Sequence, residues 1–382
     1  MAITPSDFQV FVKPIGPICN LDCHYCYYLD KENLYPKAKR FCMDGTVLEE
    51  YIKQHIEAST EQMISFSWHG GEPTLLGLDY FKNIVAIQKI HKSPNQQIIN
   101  GIQTNGTLLN GEWCKFLAEN DFRVGISIDG PAELHDQFRV NKANKSTHKQ
   151  TVRGYHILKE HQVLTEILCV LNDLNVQYPN KVYRYLKDLG AQYITFLPFV
   201  QQPDFASHHS SPASVPAGAF GDFLCIVFEE WQSNDIGQIK IQIFEEAIRT
   251  AFGQDHTLCI FKETCGRVPV VEHNGDFYTC DHFVNEDNLV GNIKEFTLSQ
   301  LLTSKKQLAF GQAKLDSLPQ YCITCEVREM CNGGCPKNRF TKTPDGDRGL
   351  NYLCAGYKQF FNHCRPFVNE VAKVWRQQNN SR

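Results

Sequence analysis

The sequence has no long uninterrupted apolar run and no strong excess of charge of either sign. Over 382 residues the formal net charge is only -4, so no basic surplus indicates nucleic-acid binding. The first residues lack a positively charged start followed by an apolar segment and a small-residue cleavage site, and no run elsewhere could span a bilayer. We therefore expect a cytoplasmic protein with no nucleic-acid partner and no membrane partner.

Cysteine, in contrast, is abundant. Sixteen cysteines in a cytoplasmic protein do not indicate a disulfide framework, because the cytosol keeps thiols reduced. Ligation of a metal or of an iron–sulfur cluster is the better explanation. The spacing of the cysteines is therefore the main evidence for function.

Short β-rich runs alternate with amphipathic helical patterns through the first half of the chain. The predicted strands are residues 8–15, 63–69, 97–105, 123–129, 165–171 and 193–200. The helical patterns include residues 46–58, 78–91, 111–120 and 180–190. Six βα units predict an α/β fold in which a parallel sheet forms a partial (β/α)6, TIM-like barrel.

The texture of the sequence changes after the sixth predicted strand. Residues 201–217 are rich in Ser, Pro and Ala and predict a loop or domain boundary; we assign no role to the two histidines of its segment 207–210. Helical patterns follow at 218–232 and 240–252, and a closing helix is predicted at 355–376. Asn274-Gly275 predicts a hairpin with a type I′ turn.

These patterns divide the chain into three predicted parts. We expect a barrel domain over 1–215, a helical linker over 216–255 and a cysteine-rich domain over 256–382. Little regular structure is predicted between the cysteines of the last part, which is typical of a small domain organised by metal rather than by a large core.

Three cysteines follow the first predicted strand at spacings of four and three residues: Cys19, Cys23 and Cys26. Structural zinc sites are usually closed by four protein ligands, so a triplet indicates a metal centre left incomplete. A [4Fe-4S] cluster held by three thiolates leaves one iron free for a small chelating ligand, such as the amino and carboxylate groups of an amino acid. The alternative is a zinc site with a distant fourth ligand, which Cys42 could supply.

Polar motifs follow the other predicted strands, and parallel α/β folds bind ligands at the carboxyl ends of their strands. In the segment His69–Pro73, Gly70 and Gly71 would let the backbone approach a ligand, and Glu72 offers a carboxylate to an ammonium group. The other strand-end motifs are Gln103–Gly106, Ser127–Gly130, Leu171-Asn172 and Leu197-Pro198. Their shared location predicts a single site.

The CxxxCxxC loop, with Tyr25 before its last cysteine and GGEP after the next strand, resembles the radical S-adenosylmethionine (SAM) superfamily. The resemblance implies reductive cleavage of SAM to methionine and a 5′-deoxyadenosyl radical that removes a hydrogen atom from the substrate. The implied roles are cluster ligation by Cys19, Cys23 and Cys26, a cofactor-site position for Tyr25, contact with the SAM amino group by Gly70, Gly71 and Glu72, and contact with its ribose or carboxylate by Ser127 and Arg139.

A second group of cysteines begins at Cys259. The pattern C-x9-G-x4-C, then C-x2-C-x5-C-x3-C and one later cysteine, resembles the SPASM extension of radical SAM proteins that modify peptides or proteins. With Cys259 six residues before Cys265, the chain from about Phe8 to Val374 is similar to anaerobic sulfatase-maturating enzymes. By that resemblance, one auxiliary [4Fe-4S] cluster is held by Cys259, Cys265, Cys280 and Cys335, and a second by Cys322, Cys325, Cys331 and Cys354. The alternative is two zinc-ribbon-like scaffold sites.

Members of that family convert a Cys or Ser in a short sulfatase motif to Cα-formylglycine. The expected protein is therefore a radical SAM oxidoreductase that acts on an unfolded or nascent sulfatase polypeptide and receives electrons from a donor such as flavodoxin or ferredoxin. Asp281 matches the family's proposed base, with His69 as the alternative base. The candidates for positioning substrate are Tyr28, His69 and Gln103. The adjacent auxiliary cluster is a reasonable acceptor for the departing electron.

Two alternative functions stay open at this point. The same eleven cysteines would serve a peptide-modifying enzyme that forms thioether or carbon–carbon crosslinks, although only seven residues precede the first predicted strand, which leaves no room there for a peptide-recognition domain. A non-catalytic iron–sulfur electron carrier would explain the later cysteines but not the triplet followed by GGEP. The sequence does not distinguish a Ser-type from a Cys-type substrate.

Overall fold

A computed structural model describes residues 8–36, 41–201 and 213–380 of the chain. Its strands are β1 (Phe11–Lys13), β2 (Met63–Trp68), β3 (Gln97–Thr104), β4 (Phe122–Ser127), β5 (Thr165–Leu171), β6 (Tyr193–Pro198), β7 (Lys240–Ile241), β8 (Val270–Glu272), β9 (Asp276–Tyr278), β10 (Leu289–Asn292), β11 (Thr341–Lys342) and β12 (Arg348–Leu350). All six strands predicted from the sequence are confirmed, as β1 to β6.

Helices separate most of these strands. They are α1 (Gly45–Ala58), α2 (Leu78–His91), α3 (Gly111–Glu119), α4 (Ala132–His135), α5 (His148–Glu160), α6 (Pro179–Asp188), α7 (Ala217–Asn234), α8 (Gln242–Ala251), α9 (Leu298–Leu302), α10 (Lys305–Asp316), α11 (Gln320–Ile323), α12 (Arg328–Cys331) and α13 (Cys354–Asn380). Within the described residues, no helix is both long and apolar enough to cross a membrane.

The helical patterns read from the sequence are confirmed as α1, α2, α3, α6, α7, α8 and α13. Local chemistry explains where several of them begin: the Asp44 side chain accepts hydrogen bonds from two amides at the start of α1, and α6 begins at Pro179, whose missing amide hydrogen costs nothing there. Helix α5 was not singled out. Most of the predicted loop 201–217, with its histidine pair, lies outside the described residues.

The chain forms two compact units. The first unit comprises Met1–Ser127, Arg139–Thr165 and Gly266–Gln312, and the second comprises Ile128–Phe138, Glu166–Cys265 and Ala313–Arg382. In the first unit the strands lie in the order β10-β9-β8-β1-β2-β3-β4, and in the second β5, β6 and β7 are neighbours. The linear domain boundaries near residues 215 and 255 stay predictions.

Strand β1 has a neighbour that comes from far along the chain. It pairs in parallel with β2 on one side and with β8 on the other, in a register that places Lys13 opposite Glu272. The amides of Gln9 and Phe11 extend this pairing through bonds of 2.9 Å to carbonyls just before β8. Because the two strands run in the same direction, the segments that follow β1 and β8 start from the same edge of the sheet.

The predicted hairpin forms between β8 and β9, but the prediction of a type I′ turn is wrong. The amide of Gly275 donates to the carbonyl of Glu272 at 2.9 Å, which makes His273 and Asn274 the central residues of the turn. Neither has a positive φ, whereas Gly275 has a φ of +92°. This is a three-residue loop with a glycine in the left-handed region, a geometry that the Asn-Gly pair alone does not distinguish from the two-residue turn.

Each unit has its own aromatic core. In the first unit, Phe66 and Trp68 stack with ring centroids 5.8 Å apart, and Tyr51 of α1 meets Trp68 edge-on at 6.1 Å. In the second unit, Phe228 of α7 and Phe360 of α13 both contact Phe244 of α8, at 5.1 and 5.3 Å. Burial of side chains of this size contributes roughly 1.5–3 kcal/mol each and fixes the sheet edges on which the polar residues lie.

Candidate active site

The three cysteines of the first motif lie in the loop after β1, Cys19, Cys23 and Cys26. The amide of Leu21 donates to Cys19 Sγ at 3.3 Å, and Asn105 Nδ2 lies 3.8 Å from the same sulfur. Burial raises the pKa of Cys19 to about 12 and also raises the pKa of Cys26, which backbone amides oppose. Donors directed at sulfur are typical of iron–sulfur sites, so this loop fits a thiolate-held cluster.

Gly71 packs against the cluster loop more closely than a side chain would allow. Its amide donates to Gly16 O at 2.7 Å, and the amide of Glu72 donates to Ile18 O at 2.9 Å. A Cβ atom at Gly71 would lie only 2.0 Å from Ile18 O. The GGEP segment therefore holds the backbone of the cysteine loop directly, a contact that the sequence did not predict.

We expect Gly71→Ala to displace the cysteine loop. Overpacking against backbone costs about 1–3 kcal/mol, and here the displaced segment carries the three cysteines, so the chain should lose about four irons, those of one [4Fe-4S] cluster. Iron and sulfide analysis of anaerobically reconstituted protein measures this. Gly45→Ala is the matched control, since a Cβ there meets no atom within 4 Å. Full iron content in the Gly71 variant would contradict the assignment.

The Glu72 side chain is buried, at 1% exposure, and is surrounded by donors from its own chain. Its Oε1 accepts from the Thr74 amide at 3.0 Å and from the hydroxyls of Thr74 and Thr104 at 2.6 and 2.7 Å. Its Oε2 accepts from the Asn105 amide at 2.7 Å. Burial raises the pKa of Glu72, against the effect of these bonds. Contact with an ammonium group stays a prediction; the carboxylate joins the GGEP segment to the end of β3.

Asn105 continues this connection to the cysteine loop. Its Nδ2 donates to Asn20 Oδ1 at 2.9 Å, and its Oδ1 accepts from the Thr107 hydroxyl at 2.7 Å. The Asn20 amide group in turn donates to Thr107 Oγ1 at 2.9 Å. The segment Gln103–Gly106, predicted only as a strand-end motif, thus holds the loop beside Cys19.

Asp281 lies in the 3-10 turn Asp281–Phe283 after β9 and is 8% exposed. Its Oδ1 forms an ion pair with Lys13 Nζ at 2.7 Å, and its Oδ2 accepts a short hydrogen bond from the Tyr27 hydroxyl. Burial alone would raise the pKa of Asp281, but Lys13, His282 and Tyr27 hold it well below its usual value. The buried carboxylate is therefore ionised at neutral pH.

Two of the predicted substrate residues lie beside this pair. Tyr28 is buried, and its hydroxyl donates to Glu272 Oε1 at 2.5 Å, while Lys13 Nζ lies 4.5 Å from its ring centroid. His69 stacks on Phe11 at 4.1 Å. Burial lowers the pKa of His69 to about 3, an effect that Lys13 reinforces and a hydrogen bond with Gln103 opposes. The imidazole is thus neutral at pH 7.

The predicted cofactor residues at the end of β4 are also buried. Ser127 and Arg139 are each 7% exposed. The Arg139 guanidinium lies 5.3 Å from the Tyr25 ring centroid. The arginine therefore packs against the tyrosine of the cysteine loop. The backbone carbonyl of Arg139 accepts from the Thr147 hydroxyl at 2.6 Å. Their contacts with SAM stay predictions.

The later cysteines gather in the second unit, with one exception. One cavity there is lined by the four cysteines predicted for the second auxiliary cluster: Cys322, Cys325, Cys331 and Cys354. Burial raises the pKa of Cys259 to about 12, and the charges of Cys335 and Cys265 raise it further, so these three lie close together. Their predicted fourth partner, Cys280, belongs to the first unit. The four cysteines that line the cavity fit a thiolate-held cluster.

Within the described part of the chain, no three Cys, His, Asp or Glu side chains are grouped so that they could hold a single metal ion. The cysteines are free thiols rather than disulfides.

Sequence reasoning missed three residues of the site, namely Lys13, Tyr27 and Glu272. Lys13 is only 2% exposed, and a lysine inside the apolar strand FVK was the one signal that could have indicated a buried partner of opposite charge. Nothing local distinguished Tyr27 from Tyr28, although their hydroxyls bond different carboxylates. Glu272 ends a short strand, and nothing in the sequence indicated that its carboxylate would bond Tyr28.

Two family models match segments of the chain. The model for the Radical SAM superfamily matches residues 14–186, and the SPASM iron-sulfur cluster-binding domain matches residues 259–326. A serine-type anaerobic sulfatase-maturating enzyme from Bacteroides thetaiotaomicron is 41% identical over 377 residues, covering 95% of this chain and 91% of that protein. The chain belongs to the anaerobic sulfatase-maturating enzyme family.

Other relatives of this anaerobic sulfatase-maturating enzyme support the same family assignment. A cysteine-type member from Clostridium perfringens is 31% identical over 366 residues, covering 95% of this chain and 98% of the other. Native anSMEcpe with bound AdoMet and Cp18Cys peptide matches with a TM-score of 0.86 and 31% identity, over 96% of this chain and 99% of that one. Streptococcus suis SuiB, at 14% identity, 92% and 77% coverage and a TM-score of 0.62, shares the fold.

These findings confirm two predictions. The chain has the α/β radical SAM fold with a carboxyl-terminal SPASM domain. It is an enzyme, a radical SAM oxidoreductase. A non-catalytic electron carrier and a crosslinking enzyme are not favoured, since the two relatives described above, at 41% and 31% identity, are both named as anaerobic sulfatase-maturating enzymes.

Proposed function

We propose that this enzyme oxidises a Ser or Cys side chain in a sulfatase motif to Cα-formylglycine. The observation that carries the proposal is the Asp281 carboxylate, buried, paired with Lys13 at 2.7 Å and bonded by Tyr27 of the cysteine loop. The bond from Tyr27 places this possible base beside the loop that would hold the radical-generating cluster. A positioned carboxylate within hydrogen-bond reach can accept the proton that the oxidation releases.

The proposal requires three [4Fe-4S] clusters and SAM. Cys19, Cys23 and Cys26 would hold the first cluster. When bound, the cluster and SAM supply a 5′-deoxyadenosyl radical that takes one hydrogen atom from the substrate Cβ. The residues that would bind SAM around the loop are Gly70, Gly71, Glu72, Ser127, Arg139 and Tyr25.

Oxidation of a serine side chain to an aldehyde removes two protons and two electrons. The hydrogen atom that leaves Cβ carries one of each, so one proton on the hydroxyl and one electron remain to be removed, and an auxiliary cluster would accept that electron. Asp281 takes that proton: Lys13 occupies Oδ1, while Oδ2, although bonded by Tyr27, has a further lone pair for the substrate. For a cysteine substrate, the thiol proton leaves in the same way, and water then hydrolyses the thioaldehyde to the aldehyde and hydrogen sulfide.

His69, Gln103 and Tyr28 would position the substrate. A neutral His69 can donate from one ring nitrogen and accept at the other, and the hydrogen bond with Gln103 orients the ring. The hydroxyl of Tyr28 is already bonded to Glu272, so Tyr28 would contact the substrate through its ring. Burial lowers the pKa of His69 to about 3, so its ring is a weak proton acceptor at neutral pH. The pKa of Asp281 is low as well, and we assign the base to Asp281 because Lys13 and Tyr27 hold its ionised carboxylate beside the cysteine loop.

The eight later cysteines would hold the two auxiliary clusters. Cys259, Cys265, Cys280 and Cys335 form one proposed set, and Cys322, Cys325, Cys331 and Cys354 form the other. The cavity lined by the second set is the observation that supports this pairing. The remaining cysteines pack as small apolar side chains, and Cys114, Cys169 and Cys364 are fully buried.

The partner in this proposal is a sulfatase polypeptide, unfolded or nascent, because its target side chain must reach the radical. A peptide-bound relative supports a peptide substrate. The electron donor would be a flavodoxin or a ferredoxin. We place the reaction in the cytoplasm, where thiols stay reduced and can be loaded with clusters.

Anaerobic turnover with SAM and a chemical reductant tests the proposal. Two sulfatase-motif peptides that differ only in Ser or Cys at the target position should each be followed by mass and by reaction with an aldehyde-specific hydrazine probe. The expected result is an aldehyde in at least one peptide together with 5′-deoxyadenosine. Formation of 5′-deoxyadenosine with a mass change that the probe does not label would indicate another modification.

A further inference from the structure

Lys314 is a cation buried among the auxiliary cysteines of the second unit, at 1% exposure. Its Nζ donates to the carbonyls of Cys259 at 2.8 Å, Ile260 at 3.0 Å and Lys262. Three acceptors use all three N–H bonds of an ammonium group, whereas a neutral amine has only two. The geometry therefore indicates a charged side chain, fastened to the segment that begins at one cluster ligand and leads to the next.

Arg339 likewise donates to several backbone carbonyls, here in the turn that joins the two sets of cysteines. Its guanidinium donates to the carbonyls of Asn332 at 2.9 Å, Gly333 at 3.0 Å and Gly334 at 3.3 Å. This turn connects Cys331 of one set with Cys335 of the other. Arg339 Nη1 also donates to the backbone carbonyl of Lys314 at 2.6 Å. A direct hydrogen bond therefore links the two residues.

The groups that would face these cations with negative charge are the cysteines, which become thiolates when they hold a cluster. Burial lowers the pKa of Lys314, and the thiolates of Cys265, Cys259 and Cys335 oppose that effect. For Arg339, burial likewise lowers the pKa, against thiolates drawn from both sets. Fixed positive charge near a cluster favours its reduced form, because reduction adds negative charge.

We propose that Lys314 and Arg339 form a cation bracket that fastens the ligand segments of both auxiliary clusters and raises the reduction potential of those clusters. The bracket makes them better electron acceptors without ligating iron or touching substrate. Both residues are thus positioning residues. This inference rests on the proposed assignment of the eight cysteines.

The test is a redox titration of the reconstituted full-length enzyme carrying Cys19→Ala, Cys23→Ala and Cys26→Ala, so that only auxiliary clusters contribute to the paramagnetic signal. We expect Lys314→Met to change the ratio of oxidised to reduced cluster about tenfold at a fixed potential, a fall in midpoint of about 59 mV for one electron. Lys314→Arg, which keeps the charge, should restore the wild-type midpoint.

Two further variants make the result specific. Lys306→Met removes the same charge from the same helix, but Lys306 is exposed and bonds only a carbonyl in the described structure; its midpoint should not move. Arg339→Gln should shift the midpoint downward like Lys314→Met, and it serves as the second reading if Lys314→Met assembles poorly. Fully loaded Lys314→Met and Arg339→Gln proteins that titrate at the wild-type potential would overturn the bracket, as would an equal shift in Lys306→Met. No SAM or peptide is present, so failure of the sulfatase-peptide reaction is a separate result.

Discussion

Replacing Cys19, Cys23 and Cys26 together by alanine is expected to abolish SAM cleavage. The three thiolates are the proposed ligands of the first cluster, and backbone and side-chain donors already face Cys19. The variant should lose about four irons, the content of one [4Fe-4S] cluster, and 5′-deoxyadenosine formation should fall to the background without enzyme. Iron analysis and chromatography of the nucleoside measure the two effects.

The auxiliary sites provide the control for this variant. Their eight cysteines are unchanged, so about eight irons should remain. Cys42→Ala, which removes the thiol that a zinc reading would use as a fourth ligand, should have wild-type iron content and activity. If the triple variant still produced 5′-deoxyadenosine, or if Cys42→Ala alone emptied the first site, the assignment of this loop would be wrong.

Asp281→Asn should separate SAM cleavage from product formation. An asparagine keeps the size of the side chain and can still accept from Tyr27, but it is not a base and leaves Lys13 without its carboxylate. Loss of a general base lowers rates by about 10²–10⁴-fold, so formylglycine should form that much more slowly while 5′-deoxyadenosine continues to appear. Single-turnover assays with peptide mass as the readout measure the split.

A matched aspartate is available in the same segment. Asp287, six residues further along, is exposed, and Asp287→Asn should leave both products unchanged. Iron content and circular dichroism of Asp281→Asn show whether the buried Lys13 charge has disturbed the fold. An Asp281→Asn enzyme that makes formylglycine at the wild-type rate would remove this residue from the mechanism and return His69 to consideration.

What could be predicted from the sequence was what depends on local spacing. Each of the first six strands is a short apolar or β-branched run, and the cysteine triplet is a contiguous loop, so both could be identified within about ten residues of chain. Helix α5 was not singled out because its buried face is made by Thr151, Gly154, Tyr155 and Leu158, of which only two are large and apolar.

What could not be predicted depends on contacts between distant segments. The ion pair of Lys13 and Asp281 exists because β8 pairs with β1, and no periodicity in either strand specifies that partner. The same holds for Glu72, whose carboxylate is used by Thr74, Thr104 and Asn105; the sequence indicated a charged group at a strand end but not which donors would face it.

The fate of the substrate Cβ hydrogen shows most directly whether this enzyme makes formylglycine by removing a hydrogen atom from that carbon. A sulfatase-motif peptide deuterated at Cβ of the target Ser or Cys should be incubated anaerobically with the enzyme, SAM and reductant, and the 5′-deoxyadenosine analysed by mass. We expect one deuterium in the nucleoside and an aldehyde in the peptide. Unlabelled 5′-deoxyadenosine beside a fully formed aldehyde would contradict it.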